Sequence, residues 1–250
     1  MWDRVRRFAH LVEAGDAFDP YDLHTNGEAA LLRRAGGHVD VALDVGANVG
    51  DWTAAALAAG VDVVHACEIA PDTAATLRRR FDGDPRVSVH ATGLADTTGT
   101  IPIAFYPDHP VLTSTSIDVT HDHRHEVIDA PVTTGDRLLA DLDLDRVDVL
   151  KIDTEGAEPR VLRGFDGAFA DERIGLVQFE YGLIALVDRF LLEDYFAFFT
   201  ERGFDVGPVT PAGVAFQPYQ LGLANFDHPN FVAVHRSRDD LRRAVAAPAD

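Results

Sequence analysis

Four acidic residues each close a short apolar run, and this placement is the strongest chemical signal in the sequence. Asp44 and Glu68 close the first two runs, and Asp153 and Glu180 close two later ones. Apolar runs of this length, separated by helix-favouring segments, predict the strands of a doubly wound parallel sheet. Ligands of such sheets bind outside the carboxyl ends of the strands. We therefore expect the four carboxylates to converge on one edge.

A glycine-containing turn after the first run predicts a site for a nucleotide-sized ligand. Residues 41–53, VALDVGANVGDWT, have the order strand, tight turn, helix. Gly46 and Gly50 permit backbone angles and a close approach that a Cβ would obstruct, so the ligand is expected to lie against bare main chain. The residues assigned to this turn site are Gly46, Ala47, Asn48, Gly50 and Trp52.

The residues between the glycines indicate which ligand binds. A dinucleotide fingerprint requires G-x-G-x-x-G, and counted from Gly46 the second and third glycine positions hold Asn48 and Asp51. Asp44 and Asp51 also place carboxylates where a pyrophosphate would lie. An NAD-linked oxidoreductase is therefore disfavoured. A cationic ligand without phosphate fits better, and S-adenosylmethionine, with a sulfonium, an ammonium and a ribose, is such a ligand.

The second apolar run supplies the other half of the predicted cofactor site. Glu68 ends that run 24 residues after Asp44. An acidic residue at this position holds ribose hydroxyls in nucleotide-binding folds of this kind. Glu68 is therefore assigned to the two ribose hydroxyls, and Asp44 to the ammonium, directly or through water.

The chain resembles the FkbM family of S-adenosylmethionine-dependent methyltransferases. Four segments carry the resemblance: LDVGANVGDWT at 43–53, CEIAP at 67–71, KIDTEGAEPRVLRG at 151–164 and NGE at 26–28. It extends over about residues 21–234, and KIDTEGAE is its most specific part. It implies an α/β, Rossmann-like class I methyltransferase fold, with a doubly wound, mainly parallel seven-stranded sheet, an antiparallel C-terminal hairpin and an N-terminal helical extension.

The resemblance also implies cofactor contacts beyond the glycine turn. Asn26 and Glu28 would lie beside the cofactor cleft and close over the methionine end, although a surface role in helix capping is an alternative. Leu94 and Ala95, in the segment GLAD, would lie against the adenine. Ile69, which follows Glu68 in CEIAP, is assigned to the same cofactor site.

Transfer of a methyl group to a hydroxyl requires a base near the acceptor. Asp153 and Glu180 are the leading candidates, with Glu155 and His109 behind them. An ordinary carboxylate, with a pKa of about 4, is a poor base for an alcohol unless burial raises that pKa. Lys151 is the single lysine of the sequence and falls inside KIDTEG, so it is a further catalytic candidate.

Two other roles remain open for these acids. Asp153, Glu155 and Glu180 offer the hard oxygen ligands that suit a divalent cation, which would acidify the acceptor. Glu155 and Glu158 could instead cap and stabilise the N-terminus of the following helix, where the helix dipole favours negative charge.

Composition limits the partners. The sequence has 41 acidic and 22 basic residues and a formal net charge of −19. A duplex nucleic acid or an anionic membrane is therefore not an expected partner. Cys67 is the only cysteine, which precludes an internal disulfide, and the first residues lack the apolar region of a signal peptide. We expect a soluble cytoplasmic protein.

The expected organisation is an N-terminal helical extension (1–36), a methyltransferase domain (37–236) and a polar tail (237–250). The N-terminal helix, over residues 2–14, could pack on the core or on a partner, such as a second copy in a homo-oligomer. The expected activity, which the resemblance implies, is O-methylation of a small hydroxylated acceptor such as a sugar, a glycan or a secondary metabolite. The alternative is a cofactor-binding sensor or scaffold protein without turnover.

Overall fold

The structure, a computed structural model, describes residues 22–106, 113, 125–182, 185–226 and 229–248. The expected helix over 2–14 and the candidate base His109 lie outside the described residues. Within the described part, no helix combines the length and the apolar composition needed to cross a bilayer.

The described helices and strands follow the alternating order expected for an α/β fold. The helices are α1 (Glu28–Ala35), α2 (Asp51–Ala58), α3 (Pro71–Arg80), α4 (Gly135–Asp141), α5 (Glu158–Arg163), α6 (Asp166–Ala170), α7 (Ala185–Asp188), α8 (Leu192–Glu201) and α9 (Asp239–Val245). The strands are β1 (Val41–Val45), β2 (Val63–Cys67), β3 (Val87–His90), β4 (Gly93–Leu94), β5 (Gly99–Phe105), β6 (Glu126–Thr133), β7 (Val147–Ile152), β8 (Ile174–Glu180), β9 (Phe204–Thr210), β10 (Gly213–Val214) and β11 (Asn230–His235).

The main sheet has eight strands in the order β10-β9-β11-β8-β7-β1-β2-β3. The five strands β3, β2, β1, β7 and β8 are parallel, and β11 runs antiparallel between β8 and β9. The predicted mainly parallel sheet with an antiparallel C-terminal part is therefore confirmed. The two-residue β10 extends the seven predicted strands by one.

Apolar cores cover both faces of the main sheet. On one face, side chains of α4, α5, α6 and α8 pack against β7 and β8, and aromatic residues such as Phe179 and Phe199 stack there. On the other face, α1, α2 and α9 contribute residues such as Leu31, Trp52 and Leu241. β7 is buried along its whole length because it lies in the middle of the sheet.

The segment after β3 forms a second, smaller sheet. The alternation of apolar and polar residues over 99–106 predicts an added edge strand, and β5 lies at one edge of a three-stranded sheet of order β4-β6-β5, separate from the main sheet. β5 pairs antiparallel with β6 along its whole length, from Gly99 opposite Val132 to Phe105 opposite Glu126. β6 is the central strand of this sheet because it pairs with β5 on one side and with β4 on the other, so β5 is an edge strand of the smaller sheet.

The C-terminal segment also differs from the polar tail that the sequence predicts. Residues 239–245 form α9, and its side chains Leu241 and Val245 are completely buried. The two lie four residues apart and therefore share one face of the helix, which packs in the core beside α1. Arg34 of α1 donates to the carbonyl of Ala246 at 3.1 Å.

Candidate functional site

The carboxyl ends of β1, β2, β7 and β8 meet at one edge of the main sheet. Asp44 is the fourth residue of β1, Glu68 directly follows β2, Asp153 directly follows β7 and Glu180 is the last residue of β8. The structure thus brings the four predicted carboxylates to neighbouring strands. Asp44 and Glu68 flank the turn of residues 46–50, which we call the cofactor turn after its predicted ligand, and Asp153 and Glu180 lie at the ends of β7 and β8.

The turn after β1 is tied to the end of β2 by main-chain hydrogen bonds. The N–H groups of Gly46 and Ala47 both donate to the carbonyl of Cys67 at 3.0 Å. The backbone is left-handed at Gly46 (φ 77°), Asn48 (φ 49°) and Gly50 (φ 91°). This conformation turns the N–H of Asn48 towards Glu68, whose Oε2 accepts it at 2.8 Å.

The two glycines of the turn have the positive φ angles that the sequence predicts, and they also permit close packing of the chain. Their contact with a ligand stays a prediction. A Cβ on Gly46 would lie 1.7 Å from the carbonyl oxygen of Asp153. A Cβ on Gly50 would lie 2.5 Å from Cε2 of Phe81 and 2.6 Å from Cδ1 of Leu77. The turn after β1 and the turn after β7 are therefore in direct main-chain contact.

Glu68 is held in place and still has acceptor capacity. Its side chain is buried, and its two oxygens accept the N–H groups of Asn48 and Ala70 at 2.8 Å each. Burial raises the pKa of Glu68, against the lowering effect of these hydrogen bonds. Each carboxylate oxygen can accept a second hydrogen bond. Glu68 therefore fits the role of accepting the two ribose hydroxyls.

Asp44 is enclosed, so the direct ligand contact predicted for it is not available in this arrangement. Its side chain has no exposed surface, and its Oδ2 accepts the hydroxyl of Thr53 at 2.7 Å. Among the described residues Oδ1 has no hydrogen-bond partner, but the ammonium of Lys151 lies 3.3 Å from it. Asp44 and Lys151 occupy paired positions on β1 and β7.

Lys151 joins the cofactor turn to Asp153, at the end of β7. Its Nζ donates to the carbonyl of Gly46 at 3.0 Å and lies 3.2 Å from Oδ2 of Asp153. Burial alone would lower the pKa of Lys151, but the charges of Asp153 and Asp44 outweigh it and raise that pKa above its ordinary value. Lys151 is thus a fixed cation that orients its neighbours, and a proton-transfer role does not suit it.

Glu28 of α1 reaches into the sheet and is not a surface capping residue. Its Oε1 accepts the side-chain amides of Asn26 and, at 3.1 Å, Asn230, and its Oε2 accepts the amide of Gln178. Gln178 in turn accepts the indole N–H of Trp52 at 3.1 Å. Trp52 therefore lies in the core under α1, and the surface alternative for Asn26 and Glu28 is wrong.

Sequence reasoning missed Gln178 and Asn230. Gln178 faces Lys151 on the neighbouring strand, and Asn230 pairs with Glu180. The one available signal for Gln178 was a glutamine inside the apolar run of β8. The position of Asn230 depends on how β11 pairs with β8, which no local pattern fixes.

Asp153, Glu155 and Glu180 form a group that we call the acid cluster. One carboxylate oxygen of each lies within 4.8 Å of the other two. Burial, with the charges of Asp153 and Glu158, raises the pKa of Glu155 to about 8. Burial and the charges of Asp153 and Glu155 raise the pKa of Glu180 well above its ordinary value. Glu155 and Glu180 therefore favour the protonated form more strongly than carboxyls in water do.

The predicted adenine side is closely packed. Leu94 and Ala95 are buried, and Leu94 belongs to the same core as Cys67. A Cβ on Gly93 would lie 2.6 Å from Cδ1 of Ile69, so these two residues are in contact. Ala47 is buried as well, and Ile69 remains partly exposed.

A mainly parallel sheet of this topology, with an antiparallel C-terminal part, is that of the class I methyltransferase fold. The family model described as the methyltransferase FkbM domain matches residues 44–206. The match covers more than half of the chain, and the chain belongs to the FkbM methyltransferase family. No curated protein matches the sequence.

Several solved structures are similar to the chain. The methyltransferase FkbM from Methylobacillus flagellatus KT is 16% identical, with a TM-score of 0.49; the match covers 79% of this chain and 44% of that one. This chain therefore spans less than half the length of that protein. An O-methyltransferase from Bacillus cereus, solved in complex with SAH, is 14% identical, with a TM-score of 0.49 and coverage of 92% and 90%. A putative rRNA methylase from Clostridium thermocellum is 12% identical, with a TM-score of 0.47 and coverage of 84% and 96%.

Proposed function

We propose that this protein transfers the methyl group of S-adenosylmethionine to a hydroxyl of a small molecule. The observation that carries the proposal is the acid cluster beside the cofactor turn, linked to it by Lys151. Within it, burial and its neighbours raise the pKa of Glu155 to about 8. A carboxylate with a pKa in this range is matched to accepting a proton near neutral pH.

The residues of the turn fit the proposed cofactor. Glu68 offers acceptor capacity for a ribose diol, and Asn48 and Ala70 hold its carboxylate in place. Asp44, paired with Lys151, lies behind the turn and holds the ammonium that binds the carbonyl of Gly46. When bound, S-adenosylmethionine supplies a methyl group already activated by the sulfonium.

The acid cluster would accept the proton that the acceptor hydroxyl loses. Ionised Glu155 would accept it, while Lys151 holds Asp153 at 3.2 Å. Glu180, whose pKa burial and its acidic neighbours raise well above its ordinary value, would orient the acceptor by hydrogen bonding. Positioning of the acceptor oxygen would supply much of the remaining acceleration.

A divalent cation is the alternative occupant of the acid cluster. The spacing of the three carboxylates permits a cation, but it equally permits protonated carboxyls that hydrogen-bond to a carboxylate. Calorimetric titration with Mg²⁺ separates the two: saturable binding that disappears in Glu180→Gln would establish the cation site.

Calorimetry with S-adenosylhomocysteine tests the cofactor assignment. We expect binding by the wild type and a loss of at least about 10-fold in affinity for Glu68→Gln, which keeps the shape but removes the charge. Glu193→Gln, at an exposed acid of α8, is the matched control. An absence of binding by the wild type would remove the basis of the proposal.

Turnover is tested by measuring S-adenosylhomocysteine release with a panel of sugars, glycans and polyketide alcohols. The expected result is release with at least one acceptor, which Glu155→Gln suppresses. Cofactor binding without release for any acceptor would support the sensor or scaffold alternative instead.

A further inference from the structure

Glu158 is a buried carboxylate that turns back onto the loop carrying the acid cluster. It lies in the first turn of α5 and is 4% exposed. Its Oε1 accepts the N–H of Thr154 at 2.7 Å and the hydroxyl of Thr154 at 2.9 Å. Its Oε2 accepts the N–H of Gly156 at 3.0 Å. One side chain thus binds the residues on both sides of Glu155.

The loop that Glu158 holds has an uncommon backbone conformation. Glu155 is left-handed with φ 52°, and Gly156 follows with φ 106°. A residue with a Cβ seldom adopts this conformation, and it persists where surrounding contacts impose it. The hydrogen bonds from Thr154 and Gly156 to Glu158 are such contacts. The position of the Glu155 carboxylate therefore depends on Glu158.

We propose that Glu158 is a positioning residue for methyl transfer, which fixes the carboxylate of Glu155 in the acid cluster by holding Thr154 and Gly156. The inference rests on the proposed function, in which Glu155 accepts the acceptor proton. Glu158 acts through Glu155 and is not itself a proton acceptor, because its oxygens are engaged with the loop.

Glu158 also has an electrostatic effect that a purely structural residue would lack. After burial and Asp153, the charge of Glu158 contributes to raising the pKa of Glu155. Glu158→Gln removes that charge. Its amide also has only one oxygen, so it can no longer accept the N–H groups of Thr154 and Gly156 with separate oxygens. The pKa of Glu155 should then fall, so the acidic limb of the rate profile should move to lower pH.

The test compares Glu158→Gln, Glu158→Asp and the control Glu193→Gln. For Glu158→Gln we expect kcat to fall by about 100-fold, as for a displaced catalytic group, with the affinity for S-adenosylhomocysteine within about 2-fold of wild type. The acidic limb should shift to lower pH in Glu158→Gln. It should stay in place in Glu158→Asp, which keeps the charge, and in Glu193→Gln.

Amide hydrogen exchange of residues 154–156 gives a readout that does not depend on turnover. Exchange should accelerate in Glu158→Gln and remain as in wild type in Glu193→Gln. If Glu158→Gln does not fold, Thr154→Val, which removes one of the donors, is measured in the same way. Unchanged exchange together with an unchanged kcat and pH profile would overturn the inference, whereas failure of the wild type to bind S-adenosylhomocysteine would overturn the proposed function.

Discussion

The ammonium of Lys151 lies 3.3 Å from Oδ1 of Asp44, between two strands at the centre of the sheet. The same ammonium binds the carbonyl of Gly46 and approaches Asp153. One cation therefore neutralises a carboxylate without exposed surface, holds the cofactor turn and faces the acid cluster. The following predictions concern this arrangement and the segments that support it.

Lys151→Met should destabilise the protein strongly. Removing one partner of a buried ion pair leaves an uncompensated charge on Asp44, which costs about 3–5 kcal/mol. Urea denaturation measures the change in the free energy of unfolding. The double variant Lys151→Met with Asp44→Asn should recover part of the loss, and a single variant as stable as wild type would contradict the prediction.

Lys151 should give one side-chain signal in NMR spectra of protein labelled with ¹⁵N-lysine, because the sequence has no other lysine. Addition of S-adenosylhomocysteine should shift this signal, since Lys151 holds the carbonyl of Gly46 in the cofactor turn. The signal should also not titrate at about pH 10, because the charges of Asp153 and Asp44 outweigh burial and raise the pKa of Lys151 above its usual value. An ordinary titration curve would show that these contacts do not form in solution.

The rate of methyl transfer should rise with pH up to about 8, the value to which burial and the neighbouring acids raise the pKa of Glu155. The direction follows from the mechanism, because only ionised Glu155 accepts a proton. Glu155→Gln should lower kcat by about 100- to 10,000-fold and abolish this limb. A wild-type profile that is flat between about pH 6 and about pH 9 would exclude Glu155 as the base.

Gly46→Ala should prevent stable folding or cofactor binding, since its Cβ would lie 1.7 Å from the carbonyl oxygen of Asp153. Gly60→Ala is the matched control: Gly60 also has a positive φ, of 98°, but nothing lies within 4 Å of an added Cβ. Its cost should be limited to the left-handed backbone, about 1–2 kcal/mol. Equal thermal stability of the two variants would contradict the close contact.

Asp148→Asn should lower stability by about 3 kcal/mol and loosen α9. Asp148 is 1% exposed. Its Oδ1 accepts a hydrogen bond from Nη1 of Arg238 at 2.6 Å, and its Oδ2 accepts the N–H groups of Asp40 and Val41. Hydrogen exchange of residues 239–245 should increase. The exposed Asp145→Asn should have little effect, and a similar loss there would show that charge number alone is responsible.

The strands and their terminal acids were predictable because the signals are local. β1, β2, β7 and β8 are short apolar runs, and the acid that ends each run is visible in the sequence. The partners of Glu28 were not predictable in this way. Gln178 and Asn230 meet Glu28 across more than one hundred residues of chain, through the pairing of β8 with β11.

Two other differences have the same physical origin. The apolar face of α9 consists of only two buried side chains among charged ones, too short a pattern to separate a docked helix from a polar tail. β5 alternates as an edge strand would, and only its pairing with β6 assigns it to the smaller sheet. In both cases tertiary packing decided between structures that the local sequence permits.

The contact between Gly46 and the carbonyl of Asp153 has a consequence for exchanging parts between relatives. Because the two turns are in direct main-chain contact, segments 43–53 and 151–164 should be exchangeable between relatives only together. A chimaera that imports one segment from a distant homologue should assemble only when it imports the other as well.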